Sequence, residues 1–141
     1  MAAADLNTIR ATIEGRLATE LAKAPNVPVV FANTPSEPTP NSSFVQCLVR
    51  FGRNQYLSQG GTTNSQNRLF GIVVLNIFSP AGVGAGANYV IGKRVRDLYN
   101  RVNVSGVFFD APIGPEALAT PAPEGYFQTQ VRVTFESIEE L

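Results

Sequence analysis

Apolar residues return every three or four positions at the start of the chain. Leu6, Ile9, Ile13, Leu17 and Leu21 make one stripe, with Arg10, Glu14, Arg16, Glu20 and Lys23 around it. That period predicts an amphipathic helix, with Asp5 or Asn7 able to cap its start and Pro25 ending it. The period then shortens to two. Val27 to Phe31 reads as a short strand, which Pro28 restricts to an edge or a strand start. Thr34 to Ser43, with three prolines, reads as an extended loop. Phe44 to Phe51 is a strand with Val45, Cys47, Val49 and Phe51 on one face. After a polar stretch from Gly52 to Asn67, Leu69 to Phe78 is a strand apolar on both faces, ended by Ser79-Pro80.

Gly82, Gly84 and Gly86 lead into a second helix, whose stripe is Ala87, Ile91, Val95, Leu98 and Val102. Val104 to Asp110 predicts another strand. Ala111 to Gly125 holds four prolines and reads as irregular. Phe127, Thr129, Val131, Val133 and Phe135 alternate with polar neighbours, as in a strand with one wet face. The order α-β-β-β-α-β-β predicts an α+β fold in two layers. A mostly antiparallel or mixed sheet carries both helices on one face. Residues 1–141 form one domain, with a long polar loop at 52–67 and a proline-rich loop at 111–125. The doubly apolar strand is buried within the monomer, roofed by the proline-rich segment, or covered by a second subunit.

Composition narrows the function. Charged residues are only 16% of the chain, against about a quarter in ordinary soluble domains, which suits a surface packed against neighbours. Eleven basic and eleven acidic side chains cancel, so the basic field of a nucleic-acid binder is missing. Cys47 is the single cysteine, which excludes an intrachain disulfide and a cysteine metal cluster and fits a reducing compartment. No apolar run reaches the roughly 18 residues of a membrane span, and the N-terminus lacks the basic start of a signal peptide. The chain has no histidine. That removes the Ser-His-Asp and Cys-His arrangements, histidine metal sites and the usual general base near neutral pH. The expectation is no catalytic, metal or cofactor-binding residues.

Gly82-Val83-Gly84-Ala85-Gly86 imitates a dinucleotide fingerprint, with a strand before it, a helix after it and Asp110 further on. Ser79-Pro80 interrupts the strand-to-glycine turn, and Asp110 comes later than the roughly 20-residue spacing such a site needs. With no second βαβ unit, a tight turn into a helix is the better reading. The polar 52–67 stretch is either a hairpin tip or an arm that orders on a partner through Arg53, Tyr56 and Arg68. Charge is also uneven. Lys93, Arg94, Arg96 and Arg101 crowd the second helix against Asp97 alone, whereas Asp110, Glu116 and Glu124, and the Glu136, Glu139, Glu140 tail, have no basic sequence neighbours. Opposed patches suit head-to-tail packing in a ring.

Several of these segments, in this order, resemble the tail-terminator-like proteins of tailed bacteriophages. They are Ile9-Arg10 with Leu17, Val29-Val30-Phe31-Ala32-Asn33-Thr34-Pro35, Phe44-Val45-Gln46, Arg68-Leu69-Phe70-Gly71-Ile72, Asn76-Ile77-Phe78-Ser79-Pro80, the Gly82 to Gly86 turn, Gly125-Tyr126-Phe127-Gln128 and Val131-Arg132-Val133-Thr134-Phe135. The resemblance implies a virion protein made in the host cytoplasm. It forms a ring, generally of six subunits, that caps the head-proximal end of the tail tube and offers the surface joining the head. Its partners would be other copies, the tail tube protein and a neck or head-completion protein. DNA can pass through the lumen without sequence-specific contact. Arg53, Tyr56, Arg68, Lys93, Arg94, Arg96, Glu116 and Glu124 are the candidate subunit and tube contacts. A head–neck connector or other minor tail component is the alternative.

Overall fold

A computed structural model describes residues 6–32, 42–56, 66–82, 84–118 and 125–140, without the side chains of Tyr56, Glu139 and Glu140. The elements in order are α1 (Leu6–Leu21), β1 (Val29–Phe31), β2 (Phe44–Tyr56), β3 (Gln66–Pro80), α2 (Gly86–Leu98), β4 (Asn103–Val104), β5 (Val107–Phe109), β6 (Ile113–Ala117) and β7 (Tyr126–Glu140). The sheet runs β1-β2-β3-β7-β5-β4, with β6 beside β5 along the same edge of β7. β1 is parallel to β2 and every other pair is antiparallel, so the sheet is mixed and the fold is α+β.

Alternation decides the core. Leu69, Val73, Leu75 and Ile77 of β3 meet Val45 and Cys47 of β2 and Val131, Val133 and Phe135 of β7 on one face. Both helices lie on that face. α1 contributes Ile9, Ile13, Leu17 and Leu21, each at most 1% exposed, and α2 contributes Ile91 and Val95. Burying each such side chain stabilises by about 1.5–3 kcal/mol. On the opposite face of β3, Val74 and Phe78 are still buried within the chain. Phe44 stacks on Phe78 at 4.7 Å and Tyr126 meets Phe44 edge-on at 5.4 Å. The next row is an amide ladder: Asn76 donates to Gln46 (3.0 Å) and accepts from Gln128 and Gln130 (3.1 Å each).

Five expectations change. The segment from Val104 to Asp110 is a hairpin rather than one strand, because Ser105 (φ 50°) and Gly106 (φ 81°) turn the chain between β4 and β5. The proline-rich stretch is not wholly irregular. β6 pairs with β7 at Ile113, Glu116 and Ala117, and Pro115, with no N–H to give, sits in the register break between them. Its described part, residues 111–118, therefore extends the sheet edgewise. The 52–67 connection is shorter than expected: β2 continues to Tyr56 through a bulge after Phe51, and β3 starts at Gln66. The second helix ends at Leu98, so Arg101 (φ 56°) and Val102 lie beyond it. Asn7 is inside α1, accepting from Arg10, rather than at its cap; Asp5 falls outside the described residues.

Candidate functional site

The glycine turn comes first. Gly82 and Gly84 have φ of 87° and 85°, the left-handed region that glycine enters without penalty. A Cβ at either would touch nothing within 4 Å, so they serve the bend and not a close approach. The bend delivers Asn88 to the sheet. The fully buried Asn88 amide donates to the carbonyls of Ile77 (3.0 Å) and Phe127 (3.2 Å) and to Ser79 Oγ (3.1 Å), while its Oδ1 accepts from the Thr129 hydroxyl. One side chain thus joins α2, β3 and β7. Its signal was in the sequence, as a lone polar residue three before Ile91 on the apolar stripe.

The cations of α2 divide by role. Arg94 reaches the end of α1. Its Nη1 donates to the Pro25 carbonyl (2.6 Å), Nη2 to the carbonyls of Glu20 and Lys23, and Nε to the Glu20 carboxylate (3.2 Å). A helix leaves its last carbonyls without intrahelical partners, and Arg94 bonds one of them, at Glu20, together with two carbonyls of the turn that follows. The same contact holds the Glu20 carboxyl below its ordinary pKa. Arg16 answers by donating to the Leu98 carbonyl (2.9 Å), so the helices cap each other. Replacing Arg94 with alanine should lower stability by about 2 kcal/mol, as expected for charge-assisted bonds. Lysine, a point charge without the fork, recovers only part of this in chemical denaturation.

Lys93 pairs with Asp97 (2.5 Å) and Arg96 with the same carboxylate (3.2 Å). Those contacts, Lys93 first, hold the Asp97 carboxyl below its usual pKa. Lys93, Arg94 and Asp97 line a shallow groove of about 380 Å³ with Tyr89 and Val90. The acidic candidates are not isolated. Glu116 takes Arg132 at 3.3 Å, Asp110 accepts from the Thr134 hydroxyl at 2.7 Å, and Glu136 lies 3.7 Å from Arg68. Glu124 falls outside the described residues.

The β2–β3 arm holds the remaining candidates. The Arg53 guanidinium lies over the Phe70 ring at 5.1 Å from its centre. Phe70 is the register partner of Glu136, which holds Arg68, so these side chains form one cluster across three strands. Tyr56 is the register partner of Asn67, one position along from the Gln55–Arg68 pair and so on the opposite face of the sheet. The structure therefore gathers Arg53 and Arg68, does not bring Tyr56 to them, and leaves Lys93, Arg94 and Arg96 on another element.

Two buried groups escaped sequence reasoning as polar features. Tyr99, just past the end of α2 and four residues after Val95, donates its hydroxyl to the Ile13 carbonyl (2.6 Å), and burial pushes its pKa up. Burial, helped by Glu14, pushes the Cys47 thiol up to about 12. Thiolate is the reactive form, so Cys47 should resist alkylation at pH 8 in the native protein and react once the protein is denatured. Among the described residues no group of three His, Cys, Asp or Glu could hold a metal. Among the described residues no helix is long and apolar enough to cross a membrane.

No family model matches the sequence, and no curated protein does. The fold is found among solved structures. One solved chain superposes with a TM-score of 0.68 over 94% of this protein and 95% of its own length, at 16% identity. At that identity the likeness establishes a common fold.

Proposed function

We propose that this protein is a non-catalytic assembly subunit, a tail-terminator-like ring component of a bacteriophage tail. The observation that carries the reading is the convergence at Asn88. The Asn76 to Pro80 segment, the glycine turn and the Gly125 to Gln128 segment are three of the pieces that carry the resemblance, and in the fold they form one joint through Ile77, Ser79, Asn88 and Phe127. The glycines there shape a bend that seats the helix, which favours assembly over nucleotide binding.

A tube protein polymerises because each ring displays the surface that the next one needs. A terminator matches that end with one face and fails to repeat it on the other, so growth stops there. Specificity of this kind is a difference of affinities that includes mismatch on the outer face. On this reading, copies form a ring, six subunits being the usual number in such proteins, the tube end binds one side and a neck protein the other. The arm that carries Arg53, Tyr56 and Arg68 is the proposed contact. Replacing all three with alanine should give tails of excess length or tails without heads in an infection, with the isolated variant still folded. Tails of normal length that join heads would remove the arm from the mechanism. Electron microscopy of the purified protein and of virions tests the larger reading: a ring at the head-proximal tip of the tail is expected.

A further inference from the structure

β2 is paired unequally. β3 accompanies it from Phe44 to Tyr56, whereas β1 covers only Val45 to Cys47 on its other side. Among the described residues, Leu48 to Tyr56 is therefore an open edge, roughly 30 Å long at 3.3 Å per residue. Its polarity follows from one bond. Val45 N–H donates to the Pro28 carbonyl at 3.0 Å, so odd-numbered residues of β2 turn their backbone groups toward the β1 side. Val49 and Phe51 do the same, and the bulge passes that role to Asn54. These are the groups a further strand would pair with.

The edge is also electrically distinctive. Arg50 and Arg53 lie along it, and neither has a carboxylate partner among the described residues. Arg53 gives only its flat face to Phe70, which leaves its N–H rim free. Meanwhile Glu14, Glu20, Asp97, Asp110, Glu116 and Glu136 are each already held by a partner of their own chain. The other five of the eleven carboxylates lie outside the described side chains.

We infer that the Leu48 to Tyr56 edge receives an extended acidic segment of another protein, added to the sheet as a strand beside β2. Backbone pairing at Val49, Phe51 and Asn54 would supply the affinity, and carboxylates opposite Arg50 and Arg53 the choice of partner. This inference stands apart from the ring reading and needs no particular oligomeric state.

The probe is a blocked ten-residue peptide of alternating glutamate and valine, with the lysine–valine peptide as control. Amide exchange is followed by NMR on the full chain. The glutamate peptide should slow exchange at Val49, Phe51 and Asn54, while the lysine peptide leaves those amides unchanged. The double variant Arg50→Glu, Arg53→Glu should reverse the preference, weakening the glutamate peptide by about ten-fold or more. The milder pair Arg50→Gln, Arg53→Gln keeps the edge uncharged should the reversal disturb folding, and it should abolish the preference. Three results overturn the inference. Protection that grows with protein concentration alone would mean a second copy covers the edge. No protection, or equal protection by both peptides, would mean the arginines merely guard it against pairing. Altered tail length in the Arg53, Tyr56, Arg68 variant bears on the proposed function and leaves this outcome untouched.

Discussion

Asn88→Ala is expected to lower the thermal midpoint by about 10 °C and the stability by about 3–5 kcal/mol. The loss exceeds that of an ordinary buried hydrogen bond because one amide serves four partners. Without it the Ile77 and Phe127 carbonyls, Ser79 and Thr129 lose a shared partner inside the protein, where no described buried side-chain polar atom is now unpaired. Asn88→Asp tests the geometry separately, since it keeps the size and acceptor but removes both donors. Calorimetry should place it no higher than alanine. A change below about 1 kcal/mol in either variant would mean that apolar packing alone seats α2.

Gly71→Ala is the second large effect, about 2–4 kcal/mol, from the smallest possible addition. Gly71 sits on the inner face between register partners Phe51 and Phe135, whose rings meet edge-on at 6.1 Å. A Cβ there would lie 2.3 Å from Phe135 Cζ and 2.8 Å from the Arg50 carbonyl oxygen. The ring can be trimmed, but the carbonyl belongs to the neighbouring strand. Combining Gly71→Ala with Phe135→Leu should therefore recover part of the loss in urea denaturation and not all of it. Full additivity of the two losses would show that the added methyl and the ring do not compete for the same space.

Much of this architecture is legible in the sequence, and the exceptions have physical causes. The stripe Ile9, Ile13, Leu17, Leu21 and the alternation through Val131, Val133 and Phe135 report burial directly, because each repeats with the period of its own element. Two helices with one apolar stripe each and strands with one apolar face leave little choice but a two-layer α+β fold. What periodicity cannot report is pairing over distance. The β6 strand was hidden by its prolines, and the bulge after Phe51 by a polar composition that reads as a loop. The charges of α2 read as one patch because the sequence orders them side by side, whereas in space Arg94 turns toward the end of α1. For the candidate surface, the sequence marked Arg53, Tyr56 and Arg68 by their place on a polar arm. It could not show that Phe70 meets Arg53 from β3 and that Glu136 meets Arg68 from β7.

The position of β7 in the sheet also governs when the molecule can form. Gln66 waits for Glu140 and Pro80 for Tyr126, so among the described strand pairs the central one closes the longest loops. A ribosome releasing this protein has already delivered both helices and β1 to β3 before the strand that completes the core emerges. Such distant closures slow folding, and the nascent chain carries an uncovered apolar β3 meanwhile. Formation of the core should consequently wait for β7 and be sensitive to chaperone supply, a cost of placing a late-made strand in the middle of the sheet.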